Sequence, residues 1–197
     1  MPSLKFLCIS LSFSKMLPHI NVFDNAKGYV EDCLFQYRFI GRVMGKAVFD
    51  GQLIAGHMVQ YMYKHLLGWP ILFGDLEAVD EAYHQKLLKL KKVVDNGGID
   101  GIEMPFLDFT TTTDILGYRR TVDLIENGSN LKVTNDNFPE YLEANLKYRM
   151  LERVKPQLME LLLGFFDVVP EPLLTVFDFQ ELELLMSGSP SIDVNET

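Results

Sequence analysis

Cysteine is scarce in this chain: Cys8 and Cys33 are the only two among 197 residues. Neither has metal-ligand spacing, and only one pair could ever form, so a disulfide framework is excluded. That usage makes the reducing cytosol or nucleus the expected compartment. Long apolar runs are missing as well. No stretch reaches the roughly 18 apolar residues that a membrane span requires. The first residues have the outline of a signal peptide, with Lys5 ahead of an apolar Phe6 to Phe13. Ser10 and Ser12 interrupt it, and no small-x-small cleavage site comes after. Without export, the acceptor patterns at Asn127-Gly128-Ser129 and Asn195-Glu196-Thr197 have no role. Basic charge is the third shortage. Lys plus Arg is 18 against 27 for Asp plus Glu, a formal net charge of −9. That balance argues against a nucleic-acid partner and is compatible with simple solubility or a basic protein partner.

The usual signatures of chemistry are also absent. The histidines His19, His57, His65 and His84 make no HxxxH or HExxH pair, so no metal is expected and no cofactor is called for. Cys33 precedes a helical segment, where a thiol's pKa can fall, but a buried inert cysteine is the plainer reading. The carboxylates cannot be paired for acid–base work from spacing alone. Gly41 and Gly45 are not a phosphate loop, since no lysine followed by serine or threonine stands in register. Read residue by residue, the chain is a folded domain without a visible active site, which favours an interaction role.

What is present is a core. The chain is 48% hydrophobic, enough for one globular unit or two small subdomains. Leu34 to Val48 has helical spacing in Phe35, Phe39, Ile40, Val43, Met44, Ala47 and Val48. Gly41 and Gly45 lie on one face of it. Each costs roughly 1 kcal/mol relative to alanine in a helix, so close approach of another backbone is expected there. Arg42 and Lys46 exclude a membrane GxxxG dimer. A second helix is expected from Leu53 to Leu67, ended by Gly68 and Pro70. A third runs from about Asp75 to Val94, with Glu77, Asp80 and Glu81 at its start and Lys86, Lys89, Lys91 and Lys92 towards its end. That order complements the helix dipole, and the lysines read as a solvated face. Ile102 to Thr110 and Arg119 to Ile125 read as strands. Asn127-Gly128 is a hairpin turn signal, with Leu131-Lys132-Val133 as the returning strand. A long helix begins near Asn137, with Asn137 and Glu140 in capping-box spacing and Pro139 in the first turn. It runs to about Phe166 with a kink at Pro156. Pro170 and Pro172 open a short helix, and Asp178 with Glu181 caps another, Phe179 to Met186. The fold class is α+β, predominantly helical, with a small strand-bearing insert between about residues 75 and 150.

Six ordered segments carry a resemblance. They are Phe39-Ile40-Gly41-Arg42-Val43-Met44-Gly45-Lys46-Ala47-Val48-Phe49-Asp50-Gly51; Tyr63 to Gly68; Asp75-Leu76-Glu77 with Val79-Asp80; Leu124-Ile125-Glu126-Asn127-Gly128 with Val133-Thr134-Asn135-Asp136-Asn137; Gly164-Phe165-Phe166; and Glu181 to Gly188. Together they resemble the amino-terminal lobe of HECT-type ubiquitin ligases. The resemblance implies residues 1–17 as a divergent extension and 18–197 as part of that lobe. Within it, about 75–150 is the subdomain that docks a ubiquitin-conjugating enzyme. In such a family ubiquitin passes from the conjugating enzyme to a cysteine on a mobile carboxy-terminal lobe, then to a substrate lysine.

The chain as given ends before that lobe. Neither Cys8 nor Cys33 stands in the family's Thr-Cys-Phe context, so no catalytic residue is carried over. What the resemblance carries over is docking, at Tyr83, Lys86 and Leu87 on the third helix, Ile102 and Met104 on the first strand, and Tyr141 and Asn145 on the long helix. The partners implied are a ubiquitin-conjugating enzyme and, through it, ubiquitin. Lys86 and Asn145 depart from the apolar character of a groove wall, and Thr110 to Thr113 read as extra loop length. Ordinary core packing is the competing role for each of these positions. A noncatalytic binding module or an inactive fragment is the alternative to a ligase region, and a metabolic enzyme with an unseen site is a third.

Overall fold

A computed structural model describes residues 27–54, 58–96, 98, 107–115 and 118–188. The chain divides into two compact units, Met1–Pro70 with Pro156–Thr197, and Ile71–Lys155.

In the amino-terminal segment of the first unit, the described helices are α1 (Lys27–Phe49) and α2 (Gln60–Leu67). The sequence pattern predicts helix from Leu53 onwards, yet residues Leu53 to Val59, where described, are not helical. Gly51 takes φ 64°, a left-handed position that ends α1. The Ile54 amide then donates to the Met186 carbonyl at 2.7 Å, which holds the chain away from a helical path. Gly68, at φ 65°, ends α2 as expected.

The second unit opens with a 3-10 turn, Phe73–Leu76, in place of the expected start of the third helix. The Asp75 carboxylate accepts from the Leu72 amide at 2.7 Å and locks this turn. The helix itself, α3, is Glu81–Asp95, because Asp80 caps it by accepting from the Tyr83 amide. Two antiparallel strands come next, β1 (Thr110–Ile115) and β2 (Tyr118–Asp123), in register Thr110↔Asp123 through Ile115↔Tyr118. Thr110 to Thr113 are therefore strand, not extra loop. Thr111 and Thr113 are buried and Thr112 is exposed, the two-residue alternation of a half-buried strand.

The hairpin also closes elsewhere than expected, between Ile115 and Tyr118. Asn127 does adopt a left-handed conformation, φ 57°. Its turn, however, sends Leu131 to Val133 back along the other side of residues 107–109. An Asp108↔Lys132 bridge and a 2.8 Å bond from the Val133 amide to the Leu107 carbonyl mark that path.

The expected long helix is two: α4 (Phe138–Met150) and α5 (Lys155–Phe166), separated by a 3-10 turn, Glu152–Val154. Pro156 breaks rather than kinks. It has no amide for the Glu152 carbonyl and its ring collides with that turn, so the chain restarts with Pro156 in the first turn of α5. The capping box at Asn137 is not formed. Pro139 removes one amide that the Asn137 side chain would cap. Asn137 Oδ1 instead accepts from the Thr134 amide at 2.7 Å, and Nδ2 donates to the Lys132 carbonyl at 3.0 Å. The last described helix, α6 (Phe179–Ser187), has its box: Asp178 accepts from the Gln180 and Glu181 amides, and Glu181 from the Asp178 amide.

The first unit is organised where α1 crosses α5. A Cβ on Gly41 would strike the Leu161 carbonyl oxygen, and one on Gly164 the Arg38 carbonyl oxygen. A Cβ on Gly45 would lie 2.8 Å from the Phe165 carbonyl oxygen. These obstacles are backbone and cannot swing aside. Beside the crossing, Arg42 Nη2 lies 2.8 Å from Asp167, and Arg38 lies 3.4 Å from Glu160. The hydrogen bond from Arg42 holds the Asp167 carboxyl below its usual range. Solvent screens such part-exposed pairs and leaves them little net stabilisation, so contact between backbones decides this packing.

Gly41→Ala or Gly164→Ala is expected to destabilise the fold by roughly 1–3 kcal/mol, overpacking outweighing the helix propensity gained. Gly74→Ala, where nothing lies within 4 Å of the added carbon, should be near neutral. Urea denaturation of the three variants checks this, and equal midpoints for all would refute the close-approach account.

Candidate functional site

The one set of predicted site residues that the described structure gathers lies in the second unit. Tyr83 sits in the first turn of α3, Tyr141 and Asn145 one turn apart on α4, and Thr111 on β1. The Tyr83 hydroxyl donates to Asn145 Oδ1 and lies 3.2 Å from Thr111 Oγ1. Asn145 Nδ2 donates back to the Tyr141 carbonyl at 2.7 Å. Arg149, one further turn along α4, lays its guanidinium 3.7 Å from the centre of the Tyr83 ring. It also pairs with Asp80 at 2.9 Å. Asp80 in turn caps α3 through the Tyr83 amide at 3.0 Å. Tyr83 is thus held at its backbone, its ring face and its hydroxyl.

Exposure divides the predicted residues. Leu87, Tyr141 and Asn145 are interior, at 1%, 3% and 0% exposed. Tyr83 is half-buried and Lys86 exposed, with the Lys86 ammonium 5.8 Å from the Tyr83 ring centre. Ile102 and Met104 lie outside the described residues. The interior members act from beneath. Phe109 meets Tyr141 edge to face at 5.6 Å, and Asn145 gives the Tyr83 hydroxyl an acceptor beside Thr111. Burial, with the nearby Tyr83 adding to it, pushes the Tyr141 phenol up to about 12.

Sequence reasoning missed Arg149, Thr111 and the second role of Asp80. Arg149 was findable: Tyr141, Asn145 and Arg149 are spaced four apart and share a helix face. Thr111 was not, because a run of four threonines reads locally as a loop.

The cluster has no nucleophile beside a base. Among the described residues no group of three or more His, Cys, Asp or Glu could hold a metal ion, and no helix is long and apolar enough to cross a membrane. An open groove of about 460 Å³ runs between the end of β2 and the Ala144–Tyr148 part of α4, lined in part by Asp123, Glu126, Lys147 and Glu152. The arrangement suits recognition: a fixed aromatic ring bordered by a cation.

The family model for the HECT domain (ubiquitin-transferase) matches residues 8–197. The chain is 36% identical over 173 residues to the E3 ubiquitin-protein ligase TOM1 of Saccharomyces cerevisiae, covering 88% of this chain and 5% of that protein. It is 37% identical to the E3 ubiquitin-protein ligase HACE1 of Danio rerio, over 83% of this chain and 18% of that one. With the E3 ubiquitin-protein ligase NEDD4 of Homo sapiens the identity is 36%, over 84% and 12%. The chain spans less than a fifth of the length of each of these relatives.

The raised Tyr141 pKa makes an alkaline prediction. The fold favours the neutral phenol, and the unfolded chain ionises near the ordinary 10.0. Stability should therefore be full below pH 10 and fall as pH climbs towards 12, by about 3 kcal/mol from this group. Tyr141→Phe cannot ionise, so its unfolding free energy should fall less over that interval. Curves of stability against pH that stay parallel for the two proteins would refute this.

Proposed function

This chain belongs to the HECT family of ubiquitin transferases, and from that membership we propose that its Ile71–Lys155 unit docks a ubiquitin-conjugating enzyme as part of a ubiquitin ligase. The cytosol or nucleus is the proposed setting. Tyr83 and Lys86 are the contact residues of this proposal, and Leu87, Tyr141 and Asn145 the supports beneath them. Ile102 and Met104 belong to the same proposed surface by the family resemblance.

One observation carries the choice of Tyr83. An aromatic ring is left half-exposed while its hydroxyl, one face and its backbone are all restrained by Asn145, Arg149 and Asp80. Interface anchors are rich in tyrosine, and a pre-restrained ring loses little rotamer freedom on binding. The names of the relatives supply the ligase function that docking serves. Docking brings a ubiquitin thioester within reach of the family's acceptor cysteine, and the contribution of this unit is position.

An isotope-labelled sample titrated with a panel of conjugating enzymes, followed by its amide NMR spectrum, tests the proposal. Shifts centred on Tyr83 and Lys86 are expected with at least one enzyme. Tyr83→Ala should weaken that binding about ten-fold or more, a loss on the order of 1–2 kcal/mol. Val176→Ser, exposed in the other unit, should leave it unchanged. A dispersed spectrum that no conjugating enzyme moves would overturn the proposal.

A further inference from the structure

The exposed side of α3 carries a row of like charge that, among the described residues, forms no ion pair, although Asp95 follows Lys92 by three positions. Lys86, Lys89 and Lys92 recur every three residues and are all exposed, with Lys91 exposed beside them. Residues three apart on a helix are neighbours, so Lys89 faces a lysine on either side and like-charge repulsion runs the length of the row. The positions four residues before and after Lys89 are Gln85 and Val93, and those around Lys86 are Ala82 and Leu90. No acid therefore stands at pairing distance along the helix for either. Among the described residues no ion pair reaches Lys86, Lys89, Lys91 or Lys92, whereas Lys46, Lys147 and Lys155 each have a carboxylate partner. Four lysines against two acids in this helix contrast with −9 for the chain. A local arrangement that costs stability, with no ion pair to offset it, marks a surface kept for a partner.

We propose that the Lys86–Lys89–Lys92 face of α3 binds an acidic polypeptide segment. Charge complementarity selects the class. Three ammonium groups in a line offer point contacts to successive carboxylates of an extended chain. A nucleic acid would lay a continuous phosphate backbone over a molecule that is otherwise acidic, and four lysines on one helix are a small footprint for it. An anionic membrane requires clustered basic residues backed by apolar ones. On α3 the apolar residues Leu87 and Leu90 are buried instead. The row begins at Lys86, next to the Tyr83 ring, so an acidic segment bound here would lie alongside that residue. This inference does not depend on which enzyme docks there, and its test contains no conjugating enzyme.

The test is the fluorescence anisotropy of a labelled oligoglutamate peptide titrated with the whole chain across a salt series. Saturable binding that weakens steadily with salt is expected. Lys86→Gln/Lys89→Gln/Lys92→Gln should lower affinity at least ten-fold. Lys147→Gln/Lys155→Gln, which removes two lysines already paired with Glu152, should not. Circular dichroism confirms the fold of each protein. If the triple variant is unfolded, Lys89→Gln/Lys92→Gln is read in its place, with the same direction expected. No binding at low ionic strength, or equal losses in the two sets of variants, would overturn the proposal. So would tighter, lysine-row-dependent binding to duplex DNA or to phosphatidylserine vesicles.

Discussion

Where α1 meets α5 there is no room for a side chain. Leu161 and Arg38 present carbonyl oxygens where Cβ atoms would be, and only Gly41 and Gly164 let the two helices come that close. The rest of the first unit depends on that separation. Tyr37, Met44, Leu158, Leu161 and Phe165 fill the interior on either side. α6 is stitched on through the Ile54 amide and through the Tyr63 hydroxyl, 2.9 Å from Ser187 Oγ. Two glycines in one helix are costly by propensity alone. Dispersion and apolar burial at a shortened interhelical distance outweigh that cost, which is why a pattern that looks wasteful in sequence is stabilising in the fold.

In the second unit the organising problem is polar. The hydroxyl of Tyr83, the amide of Asn145 and the guanidinium of Arg149 all stand at or below the surface, where an unpaired polar group costs about 1–3 kcal/mol. Tyr83 and Asn145 pair with each other, and Asp80 takes one Arg149 nitrogen while capping α3, although the buried Arg149 Nε has no hydrogen-bond partner. Removing any one of these groups would strand the polar atoms it pairs with, so the members are interdependent. This explains why a polar Asn145, out of place in an apolar groove wall, is fully buried. It serves the ring above it.

Legibility in the sequence tracked the range of the interactions. The helical periodicity of α1, the capping box at Asp178 and the terminating Gly68 are local, and each is found where the residues put it. The α+β, predominantly helical class and the HECT family were legible for the same reason, since both rest on ordered local strings. Errors arose where a distant contact overrode a local preference. Ile54 is drawn to the Met186 carbonyl and leaves the helix expected of it. Asn127-Gly128 forms a turn, but its returning strand pairs with residues 107–109, because the Val133 amide finds the Leu107 carbonyl. The threonines of β1 look like loop until Thr111 and Thr113 are seen to be buried. Pro156 is disruptive by its chemistry, yet whether a proline bends or breaks a helix depends on the segments that flank it, and a turn of 3-10 helix was available. Of the candidate site, Tyr83 and Asn145 were named from resemblance, whereas Arg149 and Thr111 join them only through tertiary contact.

Rigidity and exposure are separable properties at Tyr83, and their combination limits what the residue can be for. A tyrosine needed only for packing would be interior, like Tyr141. A tyrosine needed only for solubility would be free to rotate. Tyr83 is restrained as a core residue is, with Arg149 over its face at 3.7 Å, but it stays half-exposed. Fixing a half-exposed ring in the free protein moves the entropic cost of ordering from the moment of association to the moment of folding. That transfer is useful only if something lands on the ring. Lys86 and the lysines beyond it extend the same logic along α3, since a helix surface that repels itself is better tolerated when an opposite charge comes to rest on it.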